Sequence, residues 1–303
     1  MGIAPYEVLS KYYQKLILDI EYDRWTDYLL TVVKQHAEYP IGLDVGCGTG
    51  IFTRKLKKAG FDVSGVDISE SMLTVAETIS RKERVKIDYM KGDRRTISLF
   101  KKVGFITLVN DGINYIEPKD VLKTFKNFNK CLQKGGLLTF DLSTQHKLQF
   151  VLGNNMYGDD SEDLSYIWLS EYDSVENKVD INISFFEKQG DVYKRYNEYQ
   201  TQFVHDVSDI ENALMESGFE IVSVTNPYGE DRTSKEERIL EKPNLEIEKI
   251  NSAKHVISIC KTSTVIIIVL LVCAVAVIFL DDLFKKQRKA RYEAKKAARL
   301  QEK

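Results

Sequence analysis

Three observations predict an α/β fold built on a largely parallel sheet. An apolar run ending at Asp44-Val45 opens into Gly46-Cys47-Gly48-Thr49-Gly50, and a helical pattern follows at once. Strand-like and helix-like runs then alternate as far as about residue 141. One of those runs, residues 103–109, is almost continuously apolar, as a strand covered on both faces should be. Strand, glycine turn and helix in that order begin a nucleotide-binding unit. Glycine lets a backbone turn tightly and approach a ligand with no Cβ between them.

The elements are read in order. Residues 5–37 carry Tyr12, Tyr13, Leu16, Trp25, Tyr28, Leu29 and Val32 at helical spacing. Strand one is expected at 40–45. Its helix stops at Gly60, a residue suited to a left-handed C-cap. Strand two, 62–66, ends on Asp67, and Ser69 caps a helix bearing Met72, Leu73 and Ala76. Strand three, 85–90, runs into Gly92-Asp93-Arg94-Arg95. Strand four leads to Asn110-Asp111-Gly112, and by the switch-point rule Asn110, Asp111 and Tyr115 should line the crevice. Pro118 opens the next helix, and strand five follows at 137–141.

From 163 to 204 the period drops to two, with turns at Glu176-Asn177 and Gln189-Gly190-Asp191. This predicts an antiparallel insert after strand five. Ser208-Asp209-Ile210-Glu211 reads as a capping box for a helix ending at Gly218. Strands six (219–225) and seven (255–260) complete the unit. Residues 262–280 contain no charge. As a helix they would reach about 28 Å, close to the ~30 Å of a hydrocarbon core. The expected organisation is a domain at 1–261, a transmembrane helix at 262–280 and a basic tail at 281–303.

The chain has 303 residues, 29% charged, with a net charge of −2, so nucleic acid is not an expected partner. The tail alone holds nine Lys/Arg against four Asp/Glu. Cys47, Cys131, Cys260 and Cys273 lack metal-ligand spacing, so no metal is expected and a reducing compartment is. The N-terminus has neither a basic n-region nor an apolar h-region, so export is not expected.

The glycine spacing departs from the dinucleotide fingerprint, because position 51 is Ile. Asp44 beside the loop would repel a pyrophosphate. It suits a ligand with a cationic end, such as the amino and sulfonium groups of S-adenosylmethionine (SAM).

The Asp44-x-Gly46-x-Gly48-x-Gly50 pattern, with Asp67 and Asp93 at the next two strand ends, resembles the class I SAM-dependent methyltransferases over about residues 5–261. The β-insert and tyrosine-rich N-terminus are similar to a bacterial small-molecule group that includes amino-sugar N-methyltransferases. The resemblance implies a Rossmann-like, seven-stranded sheet and SAM as cofactor. It implies that Gly46, Cys47, Gly48 and Gly50 approach the methionine end, and that Asp44 helps hold its amino group. Asp67 would take the ribose hydroxyls, Ile68 and Met72 the adenine faces, and Asp93, beside Arg94, the adenine amine. Asn110 would lie near the sulfonium, with Tyr12 or Tyr13 closing over the ligand.

His205, and more weakly Tyr13, are the candidate catalytic groups. The expected function is methyl transfer to a small-molecule or lipid-linked acceptor. The expected location is a membrane anchor with the catalytic domain in the cytoplasm. A non-catalytic SAM- or S-adenosylhomocysteine-binding sensor is the alternative.

Overall fold

A computed structural model describes residues 6–17, 22–225, 253–259 and 266–269. The chain opens with helices α1 (Leu9–Ile17) and α2 (Tyr22–His36). Alternation follows: β1 (Ile41–Val45), α3 (Ile51–Lys58), β2 (Asp62–Asp67), α4 (Glu70–Lys82), β3 (Tyr89–Lys91) and β4 (Val103–Leu108). A 3-10 turn, Gly112–Tyr115, precedes α5 (Pro118–Cys131) and β5 (Leu132–Ser143). After a short π-helical turn, Lys147–Leu152, come β6 (Asn155–Asp160), β7 (Leu164–Asp173), β8 (Lys178–Gln189) and β9 (Val192–Phe203). The remaining elements are α6 (Val207–Glu216), β10 (Glu220–Thr225), β11 (Ala253–Ile259) and β12 (Ile266–Val269).

The main sheet has eight strands in the order β10-β11-β12-β5-β4-β1-β2-β3, one more than expected. β1 to β5 are mutually parallel, while β11 runs antiparallel to β5 and β10. The chain reverses between β1 and β4, so the carboxyl ends of those two strands flank the crevice. Two apolar layers hold the sheet. On one side Val121, Phe125, Phe128, Ile210 and Leu214 from α5 and α6 pack against Ile106, Leu138 and Phe140. In the other, Leu29, Val33, Phe52 and Leu56 from α2 and α3 pack against Phe105 and Leu137. The meander β6-β7-β8-β9 forms a separate antiparallel sheet, whose buried Val179, Ile181, Ile183 and Phe185 meet Val8 and Leu9 at the start of α1.

Four expectations change. The insert begins at Asn155, not at 163, because Asn155–Asp160 pairs with β7 as an additional strand. Strand three shrinks to Tyr89–Lys91. The helix after the insert starts at Val207 with Asp206 at its N-cap, so Ser208 lies inside the first turn and is not the cap. Within the expected membrane helix, Ile266–Val269 run as a strand paired with β5 and β11. An Ile-Ile-Ile-Val run suits a buried strand as well as an apolar helix, because period alone cannot separate the two. No helix among the described residues is long and apolar enough to cross a membrane. The rest of 262–280 and the basic tail lie outside the described residues.

Candidate functional site

The site starts at the carboxyl end of β1. Gly46, Gly48 and Gly50 all take left-handed backbone (φ +68°, +53° and +72°), which favours glycine at each. The N–H groups of Gly46 and Cys47 both donate to the Val66 carbonyl, at 2.7 and 3.0 Å, fastening the loop to β2. A Cβ at Gly50 would stand 2.4 Å from the Tyr89 hydroxyl, whereas one at Gly48 would meet nothing within 4 Å. The loop is therefore packed behind and open in front at Gly48, which is the shape of a cradle for a ligand.

Asp44 lies beneath this loop and is fully buried. Its oxygens accept from the hydroxyls of Thr53 (2.5 Å) and Thr107 (2.6 Å), which joins β1 to α3 and β4. Burial pushes its carboxyl up to about 6, against the pull of the two hydroxyls. Asp67 faces the loop from β2. One oxygen accepts from the Gly48 N–H at 2.8 Å and the other from the Ser69 N–H at 2.9 Å. Ser69 caps α4 as expected, its hydroxyl accepting from the Met72 N–H.

Ile68 is half exposed beside Asp67, as an apolar platform for a ring should be. Met72 differs from Ile68: it is 2% exposed, because the helix turns it inward. Cys47 is buried with its thiol against β2, and burial raises its pKa well above the usual thiol range. Asp93 is forked by Arg95, whose Nε and terminal nitrogen lie 2.6–3.0 Å from the carboxylate. These bonds hold its carboxyl below the usual range.

Arg94 spans the crevice. It stands 4.0 Å from where a Cβ on Gly46 would be, donates to the Gly112 carbonyl at 2.5 Å, and lies 5.6 Å above the Tyr115 ring. Tyr115 in turn meets Tyr6 edge to face at 6.4 Å and donates to Gln200 Oε1 of the insert at 3.1 Å.

The far wall is the turn after β4. Asn110 and Asp111 both have left-handed backbone (φ 66° and 59°). What fixes this turn lies underneath. The Asp111 N–H donates to Asp141 at 2.6 Å, and its carboxylate accepts from Ser143 Oγ at 2.5 Å and Lys147 Nζ at 3.0 Å. Asp111 therefore points down into this network and not into the cleft. Asp141 is fully buried, and its other oxygen has no hydrogen-bond partner among the described residues. Burial, reinforced by the Asp111 charge, holds the Asp141 carboxyl well above its usual range.

The first helix closes over this turn. Asn110 Nδ2 donates to the Tyr13 hydroxyl at 2.5 Å. Tyr12, about 100° around the same helix, goes elsewhere. Its hydroxyl donates to Glu187 of the insert at 2.8 Å, and burial with that carboxylate pushes its pKa up to about 12. Of the two, Tyr13 reaches the turn after β4 and Tyr12 reaches the insert.

The start of the lid is held by Glu198 of β9, which accepts from the N–H groups of Tyr6 (2.9 Å), Val8 (2.6 Å) and Leu9 (3.0 Å). Glu198, Gln200 and Gln202 are all buried on one face of β9 at alternate positions. Sequence reading missed them, although polar residues at every second position of an apolar insert were a usable signal.

His205 lies just after β9, at the end of the insert. It is 6% exposed, Nε2 sits 3.2 Å from the Ile113 carbonyl, and burial lowers its pKa. The ring links the end of the insert to the 3-10 turn.

Comparison with known proteins agrees with this geometry. Residues 43–136 match the family model described as a methyltransferase domain. A protein named as a methyltransferase in Geobacillus sp. (strain WCH70) is 30% identical over 233 residues, covering 76% of this chain and 94% of the relative. The crystal structure of a SAM-dependent methyltransferase from Clostridium acetobutylicum ATCC 824 aligns with a TM-score of 0.68 at 30% identity, covering 76% of this chain and 94% of that one. A sugar N-methyltransferase from Streptoalloteichus sp. ATCC 53650 shares the fold, with a TM-score of 0.64 at 18% identity over 77% of this chain and 92% of that one. With an open glycine cradle at the end of β1, an acid at the end of β2 and relatives matched over nearly their whole length, the chain belongs to the class I SAM-dependent methyltransferases.

Proposed function

We propose that the enzyme methylates a nitrogen or oxygen of a small-molecule or lipid-linked acceptor bound beneath α1 and the β-insert, beside the turn after β4. The observation that carries this reading is the lid. α1 is held at its start by Glu198 of the insert and bonded through Tyr13 to Asn110 at the cleft. A pocket roofed in this way suits a compact acceptor more than a polymer. The shared fold with a sugar N-methyltransferase makes amino sugars the first acceptors to try.

SAM bound here would supply a methyl group already activated on its sulfonium. In this reading the loop at Gly46, Cys47, Gly48 and Gly50 approaches the methionine end. Asp67 accepts the ribose hydroxyls once its bond to Gly48 is exchanged, and Ile68 covers one adenine face. Asp93 takes the adenine amine. Asp44, with both oxygens bonded to threonines, acts by shaping the loop from below. Tyr13 and Asn110 align the acceptor's nucleophile and keep water out, and alignment is the main demand when the leaving group is already activated.

The test uses the purified full chain with methyl-labelled SAM and separate amino-sugar, metabolite and lipid fractions. One discrete labelled product, formed one-to-one with S-adenosylhomocysteine, is expected. Label found only in protein or nucleic acid would overturn the reading.

We infer also that the chain is anchored to a membrane through residues 262–280, with the catalytic domain in the cytoplasm; insertion would require Ile266–Val269 to leave their pairing with β5, where β11 also pairs. The support is the absence of charge over that run and the basic residues that follow it. Cytosolic SAM and the positive-inside tendency pull the two ends of one crossing to the same side. Protease protection of a C-terminal tag therefore decides the tail's side. Complete release of the chain by alkaline carbonate would overturn the anchor.

A further inference from the structure

Helix α5 carries a stripe of cations that the methyl-transfer chemistry does not use. Lys119, Lys123, Lys126 and Lys130 are all exposed and follow at spacings of four, three and four, which is one straight face of a helix. The opposite face, Val121, Phe125 and Phe128, is buried against the sheet. Together with Arg95, Thr96 and Asn127 the lysines line an open groove of about 510 Å³.

Local acids answer only part of this charge. Arg95 pairs with Asp93 and Asp120, Lys119 with Glu117, and Lys126 with Glu216. Lys123 and Lys130 have no ion-pair partner among the described residues. The groove starts at Arg95, next to Asp93 at the cofactor end of the sheet, and runs down the helix away from it. The stripe lies in a chain whose net charge is −2, so it is a local concentration of charge and not a general basicity.

We propose that the lysine face of α5 is the surface that the catalytic domain lays against an anionic lipid bilayer. Charge complementarity selects the occupant. Lysines on compact, flexible stems suit a field of phosphate headgroups, and each basic residue at such a surface contributes about fivefold in partitioning. The uncharged run at 262–280 and the basic tail beyond it favour a bilayer over a soluble polyanion. The proposal rests on the membrane reading of that run for the proximity it supplies, and on α5 for the contact itself.

Lysine acetylation footprinting of the full chain tests it. The chain is mixed with vesicles of phosphatidylcholine alone or with one-third phosphatidylglycerol, and acetylation is read by mass spectrometry. With phosphatidylglycerol, Lys123 and Lys130 should react at least fivefold more slowly. Lys58, on α3 across the sheet, should be unchanged. The protection should vanish in 0.5 M salt. The double variant Lys123→Glu/Lys130→Glu should lose protection at Lys119 and Lys126 while binding SAM as before.

Flotation on neutral vesicles reports the anchor separately. If the chain floats but the α5 lysines stay reactive on anionic vesicles, this proposal is wrong and the anchor stands. If the chain does not float but the α5 lysines are still protected, the anchor is wrong and the docking face stands. Equal protection by inorganic pyrophosphate or by RNA would overturn the lipid assignment.

Discussion

The two sides of the cleft are assembled by different kinds of contact. On the cofactor side the partners are close in sequence: Gly48 with Asp67, Asp67 with Ser69, Asp44 with Thr53. On the lid side they are far apart: Val8 with Glu198, Tyr13 with Asn110, Asn114 with the Phe203 carbonyl, Tyr115 with Gln200. The first kind forms as one βαβ unit folds, and β4 then adds the Thr107 hydroxyl to Asp44. The second exists only when the N-terminal helix, the insert and the turn after β4 have met. The cofactor half should therefore tolerate damage to the lid, and the lid should not survive damage to its distant anchors.

The sharpest test removes the lid anchor. Glu198→Ala leaves three backbone N–H groups of a buried helix start without their acceptor. A local loss of roughly 3 kcal/mol is expected, on the order of 100-fold faster hydrogen exchange in residues 6–17. Exchange in β1 and β4, followed by mass spectrometry, should not change, and SAM should still bind. Equal acceleration in both regions would erase the distinction between the halves.

On the cofactor side, the pH dependence of Asp44 has a comparable size. Its folded pKa, about 6, lies above its ordinary value of 3.8. The folded state therefore holds a proton that the unfolded chain has released, and stability falls as pH rises from about 4 to 6. The total reaches about 3 kcal/mol by pH 7. Urea unfolding of the native chain and of Asp44→Asn, compared across that range, isolates it, and a flat difference would refute it.

Asp67→Ala removes two hydrogen bonds to backbone at the loop's open face, together with the proposed ribose acceptor. SAM affinity should fall about 100-fold by calorimetry, equivalent to roughly 3 kcal/mol, while exchange in the lid is untouched. Tyr13→Phe is the mildest change. It deletes one exposed hydrogen bond on the lid side, so turnover with an identified acceptor should drop about fivefold to tenfold, with little change in melting temperature. A loss equal to that of Asp67→Ala would mean that the lid and the cofactor cradle are one unit.

The same division explains what could be read from the chain. Asp44, Gly46, Gly48, Gly50, Asp67 and Ser69 were legible because a glycine turn, a strand end and a helix cap each leave a local pattern. Ile68 and Met72 looked alike in sequence, and only the turn of α4 separated the exposed one from the core one. Tyr12 and Tyr13 were likewise adjacent candidates that the helix sends to different partners. A histidine before a helix cap carries no signal of what encloses it, so the burial of His205 was not legible. Asp141 and Lys147 left no local trace, since their partners lie on other elements, whereas Glu198 showed only in the alternation of polar residues along β9.

The turn at Asn110–Asp111 carries a consequence for how this enzyme tolerates change. Two successive side-chain-bearing residues in left-handed backbone cost on the order of 1 kcal/mol each relative to glycine. Asn110→Gly would keep the turn and relieve part of that cost, yet it would delete the amide that meets Tyr13. A screen for thermostability alone would therefore favour glycine at this position and drift toward a sturdier, slower protein. Recovering asparagine there would require selection on turnover.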